Sequence, residues 1–130
     1  MSREKEKEGE NMTLEKVTEI LEGEVVLNTG EMETEILFVC SSDLMSDLLH
    51  FSSRPKSLLI TGLNNTQVIR TAEIADIKAV VFVLDKRPDR EAVEMARQKG
   101  IPLIVTRLSR FTACGRLYAE GLGSCTGENR

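Results

Sequence analysis

Few side chains in this 130-residue chain are suited to chemistry, and most of them sit in short polar segments that follow apolar runs. Four segments matter: Ser41-Ser42-Asp43, Thr61 to Thr66, Asp85-Lys86-Arg87, and Thr106-Arg107. The second carries the most. Gly62 lets another group approach the backbone closely. Asn64 or Asn65 can cap a helix, with Thr66 at its start, whose first amides point outward. Such a turn can cradle a phosphate or another anion. Lys86 and Arg87 would add positive charge, and Ser42, Asp43, Thr61 and Thr106 would add polar contacts. The plainer reading of Gly62 and the Asn pair is a strand-to-helix turn with its cap. The pattern is neither Gly-x-Gly-x-x-Gly nor a P-loop, and Gly-Lys-Ser/Thr occurs nowhere in the chain.

The remaining candidates are weaker. Asp43 and Asp47 lie i, i+4 on one expected helix face, where acid–base work or metal binding would need partners from another strand end. More simply, Asp43 caps that helix and Asp47 is solvated. His50 ends the same helix, where a partial positive charge is favourable, so it reads as a capping or packing residue. One His and no nucleophile elbow leave a hydrolase triad unsupported. Cys40, Cys114 and Cys125 form no Cys-x-x-Cys, and two of them lie in apolar runs. They are expected to be reduced core residues of a cytoplasmic protein, with no metal site, and no cofactor is expected. Arg70, Glu73 and Arg116 read as solvated or ion-paired surface groups, and Tyr118 as core or as a contact with a second subunit.

Composition narrows the partners. The chain has 17 basic and 21 acidic residues, a net charge of -4, and only 4% aromatics. It therefore offers neither a phosphate-neutralising surface nor a stacking platform for bases, and nucleic acid is not an expected partner. No apolar run approaches the ~20 residues that span a bilayer, so no membrane association is expected. Residues 1–9 are charged and do not read as a secretory signal.

These groups need elements to position them. Residues 1–11 and 123–130 are polar and read as a disordered tail and a flexible tail around a domain at 12–122. A first helix at 13–22 is capped by Thr13, stopped by Gly23 and followed by a short strand at 24–27. Then short, continuous, β-branched runs recur at 35–40, 57–61, 79–84 and 102–106. That is the pattern of strands covered on both faces. Helical segments at 43–51, 65–76, 89–99 and 109–121 fill the gaps. The alternation predicts a three-layer α/β/α sandwich around a mostly parallel sheet of about five strands. In such a sheet ligands sit outside the carboxyl ends of the strands, where the four polar segments fall.

The run Leu58-Leu59-Ile60-Thr61-Gly62-Leu63-Asn64-Asn65-Thr66-Gln67-Val68-Ile69-Arg70-Thr71-Ala72-Glu73-Ile74-Ala75-Asp76-Ile77 resembles the DRTGG domain family. So do Ala79 to Val83, Lys86-Arg87-Pro88-Asp89, Gly100-Ile101-Pro102-Leu103 and Cys114-Gly115-Arg116-Leu117-Tyr118. Ser42 to Leu49 and Gly23-Glu24-Val25 fit as well, so the resemblance covers 12–122. The five-letter string that names the family is absent; its nearest counterpart is Thr61-Gly62-Leu63-Asn64-Asn65. The family occurs as an accessory domain in some phosphate acetyltransferases and beside CBS pairs in regulated pyrophosphatases, and a related fold forms the N-terminal domain of HPr kinase. The resemblance implies a non-catalytic regulatory module. It would form a homodimer and bind a phosphate-containing, nucleotide-like molecule or a partner protein such as an enzyme. The alternative is an enzyme acting on a phosphorylated substrate at the Gly62/Asn64/Lys86 edge, with Asp43 as base. That requires those groups to converge within hydrogen-bond reach.

Overall fold

Neighbouring residues of the central strands face opposite ways, and this alternation builds two separate cores. The computed structural model describes residues 11–51 and 54–126. Its strands are β1 (Glu24–Leu27), β2 (Phe38–Ser41), β3 (Ser57–Thr61), β4 (Ala79–Phe82), β5 (Leu103–Val105) and β6 (Gly123–Ser124). Its helices are α1 (Leu14–Ile20), α2 (Met45–Phe51), α3 (Thr66–Ile74), α4 (Arg90–Lys99) and α5 (Arg110–Ala119). The sheet order is β1-β5-β4-β3-β2-β6. β1 runs antiparallel to β5, and all other neighbours are parallel.

On one face, Leu59, Val80, Phe82, Leu103 and Val105 pack against Met45 and Leu48 of α2, Val68, Ile69 and Ala72 of α3, and Ala92 and Ala96 of α4. On the other, Leu58, Ile60, Ala79, Val81 and Ile104 meet Leu14 and Val17 of α1 and Ala113 and Leu117 of α5. The strands β2 to β5 follow one another in order. Right-handed crossovers in one direction put α2, α3 and α4 on the same side. α5 carries the chain back across the opposite face to β6. The expected three-layer α/β/α sandwich with a mostly parallel sheet is what forms.

Local chemistry sets most of the helix starts. Thr13, Asn65, Asp89 and Ser109 each accept a hydrogen bond from a first-turn amide, at 2.8–3.2 Å. α4 ends at Gly100 in the left-handed region, φ 73°. Thr106, fully buried after β5, donates to the Leu21 carbonyl at 2.7 Å and ties α1 to the sheet.

Gly23, between α1 and β1, has a packing reason. A Cβ there would lie 2.7 Å from Cγ2 of Ile104, a buried and rotationally stiff side chain. Gly23→Ala is expected to lower stability by about 1–3 kcal/mol. The measurement is the urea midpoint at unchanged slope, and an unmoved midpoint would contradict the clash.

Three expectations are corrected. Residues 123–126 are not a loose tail: Gly123 and Ser124 pair in parallel with Phe38 and Val39, giving a sixth strand, and Cys125 is buried. The remaining tail residues, 127–130 and 1–10, lie outside the described residues. Second, the cysteines are not all reduced. β6 lies beside β2, so Cys125 reaches Cys40, and the two form a disulfide with Cα atoms 5.2 Å apart across a sequence separation of 85. Cys114 is free. Third, α2 starts at Met45, so Asp43 stands outside the helix. There Ser42 Oγ accepts from the Leu44 amide, and the Asp43 carboxylate turns toward β3.

Candidate functional site

The carboxyl ends of β2, β3 and β4 bring Asp43, Thr61, Gly62 and Lys86 to one edge of the sheet. Three donors converge on a single oxygen there. Oδ1 of Asp43 accepts from the Thr61 hydroxyl, the Gly62 amide and the Arg110 guanidinium, each at 2.8 Å. Thr61 is fully buried and positions its hydroxyl from the last residue of β3. Its oxygen in turn accepts from the Leu63 amide at 3.1 Å, which fixes the turn.

The electrostatics follow from that geometry. Partial burial pushes the Asp43 carboxyl up. The Gly62 amide, the Thr61 hydroxyl and the Arg110 charge together outweigh it, so the group is more acidic than an ordinary aspartate. Asp43 is therefore an anion at neutral pH with one oxygen fully engaged, which makes it a poor general base. It is within hydrogen-bond reach of the Gly62 turn, while the Asn64 side chain is committed to Arg87; its low basicity and engaged Oδ1 make it a weak proton acceptor. Because its folded pKa is depressed, its contribution to stability exists above the unfolded value and is lost as pH falls through the folded one. Asp43→Asn is expected to flatten the acid limb of the stability curve. The side chain is 47% exposed, so the loss near pH 7 should be no more than about 1 kcal/mol. Melting temperatures from pH 7 down to acid, compared between the two proteins, check this.

The other expected residues divide. Lys86 is exposed, with its stem beside the Gly62 turn: a Cβ on Gly62 would lie 3.9 Å from Lys86 Cδ and 3.5 Å from Asp43 Oδ2. Those are ordinary contacts, so the fold itself does not demand glycine there. Asn64 joins two strand ends, its Nδ2 donating to the Arg87 carbonyl at 2.9 Å and its carbonyl accepting from the Asp89 amide at 3.1 Å. Asn65 is the cap of α3, with Thr66 its first residue. Ser42 holds its own turn. Thr106 is committed to Leu21. Arg87 turns away to Glu24 and Asp85, which raise its pKa, and it in turn lowers that of Glu24. Arg116 bridges to Glu22 at 3.0 Å, which it shares with Arg107.

Arg110 is the residue that sequence reasoning missed. It stands at the first position of α5, far along the chain from β2 and β3, and reaches their ends only because α5 crosses back over the sheet. Among the described residues no group of three or more His, Cys, Asp or Glu could hold a metal ion. No described helix is long and apolar enough to cross a membrane.

Comparison with known sequences decides the family. The DRTGG domain pattern matches residues 16–119, from α1 to the last residue of α5. The chain belongs to the DRTGG domain family. Among solved structures, this DRTGG domain is similar to the CBS and DRTGG domains of the regulatory region of Clostridium perfringens pyrophosphatase, a structure complexed with its activator, diadenosine tetraphosphate. The TM-score is 0.69 at 20% identity, over 85% of this chain and 47% of that one. At that identity the likeness carries the fold, and the chain spans about half the length of that regulatory region. No curated protein matches. In this DRTGG domain the Asp43–Thr61–Gly62 cluster lies between the ends of β2 and β3.

Proposed function

We propose that this DRTGG domain is a non-catalytic regulatory module that binds a phosphate-bearing, nucleotide-like molecule at the strand-end cluster and acts as a homodimer. The observation that carries the reading is the convergence of three donors on one carboxylate oxygen, with the Lys86 stem alongside. A donor set of an amide, a hydroxyl and a guanidinium suits an anionic oxygen. Asp43 occupies it in the free protein, and a ligand phosphate would take its place. The activator named for the pyrophosphatase regulatory region supports the choice of nucleotides as first probes. A partner enzyme would then read the occupied state.

The test is a melting-temperature screen with nucleoside mono-, di- and triphosphates, dinucleoside polyphosphates and inorganic phosphate. The expected result is a saturable upward shift with nucleotides that Gly62→Val abolishes, because its methyls would crowd the Asp43 and Lys86 side chains. No shift across the set would leave only the interaction role. Light scattering at tens of micromolar addresses the homodimer, and a strict monomer would remove that part. A cytoplasmic site of action belongs to the same proposal.

A further inference from the structure

We infer that the turn at residues 83–86 is a strained positioning device that holds Lys86 over the Gly62 turn before any ligand arrives. This rests on the strand-end site proposed above and names Leu84 and Asp85 as the residues that orient its cation. Both have positive φ, 55° and 56°. Two such residues in succession, closed by a hydrogen bond from the Lys86 amide to the Val83 carbonyl at 3.0 Å, make the pattern of a type I′ turn. Such turns favour Gly, Asn or Asp, and leucine at the first central position is a costly choice. Packing does not explain it, because Leu84 is 55% exposed.

Two neighbouring strand ends hold the turn in this conformation. The Leu84 amide donates to the Leu108 carbonyl at 2.9 Å and the Asp85 amide to the Thr106 carbonyl at 2.8 Å, both just beyond β5. From the end of β3, Asn64 donates its side-chain amide to the Arg87 carbonyl at 2.9 Å and accepts from the Asp89 amide at 3.1 Å. Strained backbone persists where its surroundings over-determine it, and it gathers where a group must be aimed. The group aimed here is Lys86. Had β4 run straight on, Lys86 would lie ~10 Å beyond Val83. The turn instead folds it back beside Val83, whose amide donates to the Thr61 carbonyl at 3.1 Å. There Cδ of Lys86 lies 3.9 Å from the point that a Cβ on Gly62 would occupy. A long side chain ordered in advance loses less freedom when an anion binds.

Two substitutions at Leu84, neither changing the charge, test this in the whole chain. Leu84→Asn suits the left-handed region, so the turn stays and its strain falls. Leu84→Pro cannot take a positive φ and loses the amide bonded to Leu108, so the turn must open. The first readout is the nuclear Overhauser cross-peak between the Lys86 δ-methylene and the Gly62 α-hydrogens in the ligand-free protein. It is expected in the wild type and in Leu84→Asn, and lost in Leu84→Pro. The second is ATP affinity, measured well below the melting temperature of each protein. It should be unchanged in Leu84→Asn and roughly fivefold weaker or more in Leu84→Pro. The third is the melting temperature, which should rise by a few degrees in Leu84→Asn. A Leu84→Pro protein that keeps the cross-peak, or the wild-type affinity, would overturn the positioning role. A lower melting temperature in Leu84→Asn would overturn the strain. A wild type that binds no ATP would count against the ligand site alone, and the cross-peak would then decide the turn.

Discussion

Replacing Cys125 with serine is expected to lower stability by about 2–5 kcal/mol. The bridge to Cys40 closes a segment of the chain with a sequence separation of 85, so in the unfolded state it removes the freedom of most of the domain. Little else holds β6. It is two residues long, and its flanking backbone bonds to the β2 segment run from the Gly123 amide to the Leu37 carbonyl and from the Cys125 amide to the Val39 carbonyl, both at 3.1 Å. Cys125 is also buried in an apolar cluster, where a serine hydroxyl would need a partner. Cys40→Ser should match it, and Cys114→Ser should cost far less, because Cys114 is free and partly exposed. Urea midpoints without reductant measure the three variants. A reductant should bring the wild type down to the level of Cys125→Ser, and an unchanged midpoint would mean the bridge contributes nothing.

Ligand affinity should move in opposite directions when the two charges at the strand ends are changed. Lys86→Glu is expected to weaken nucleotide binding by roughly tenfold or more, since it exchanges an attractive charge for a repulsive one near the phosphate. Asp43→Asn should strengthen binding by roughly fivefold, because the resident anion that competes with the ligand becomes neutral. Both effects should shrink with added salt, since the site is exposed. Isothermal titration at two salt concentrations would record them. The enzymatic alternative predicts the reverse for Asp43, whose loss would remove a base and any turnover. Affinity that falls in Asp43→Asn would show that the carboxylate contacts the ligand instead of being displaced by it.

The fold was legible where the information is local. Short apolar β-branched runs marked β3, β4 and β5. The polar residues Thr13, the Asn64–Asn65 pair and Asp89 marked the starts of α1, α3 and α4, and Gly100 the end of α4, because caps are chemistry within one turn of chain. Boundaries failed where a residue outside the element decided them. β2 begins only at Phe38, since Ile36 donates its amide to the Met12 carbonyl and Glu35 bridges to Thr13. β4 ends at Phe82, since Leu84 and Asp85 turn into the left-handed region and bond back to the segment after β5.

The candidate site was legible in its strand-end segments but not in its wiring. Asp43 looked like a helix cap from its sequence neighbours, and Arg87 looked like the second cation. Their actual partners, Arg110 and Glu24, lie 67 and 63 positions away. β6 and the Cys40–Cys125 bridge were hidden for the same reason. Two residues have no periodicity to read, and a pairing across the whole domain leaves no trace in either neighbourhood.

The central claim is that the Gly62 turn holds a ligand phosphate in place of Asp43. The most direct measurement is the amide resonance of Gly62 during titration with a nucleoside polyphosphate. The expected result is a saturable shift at Gly62, with the turn residues Leu63 and Asn64 following at the same affinity. Saturation that leaves the Gly62 amide unmoved while resonances elsewhere shift would contradict it.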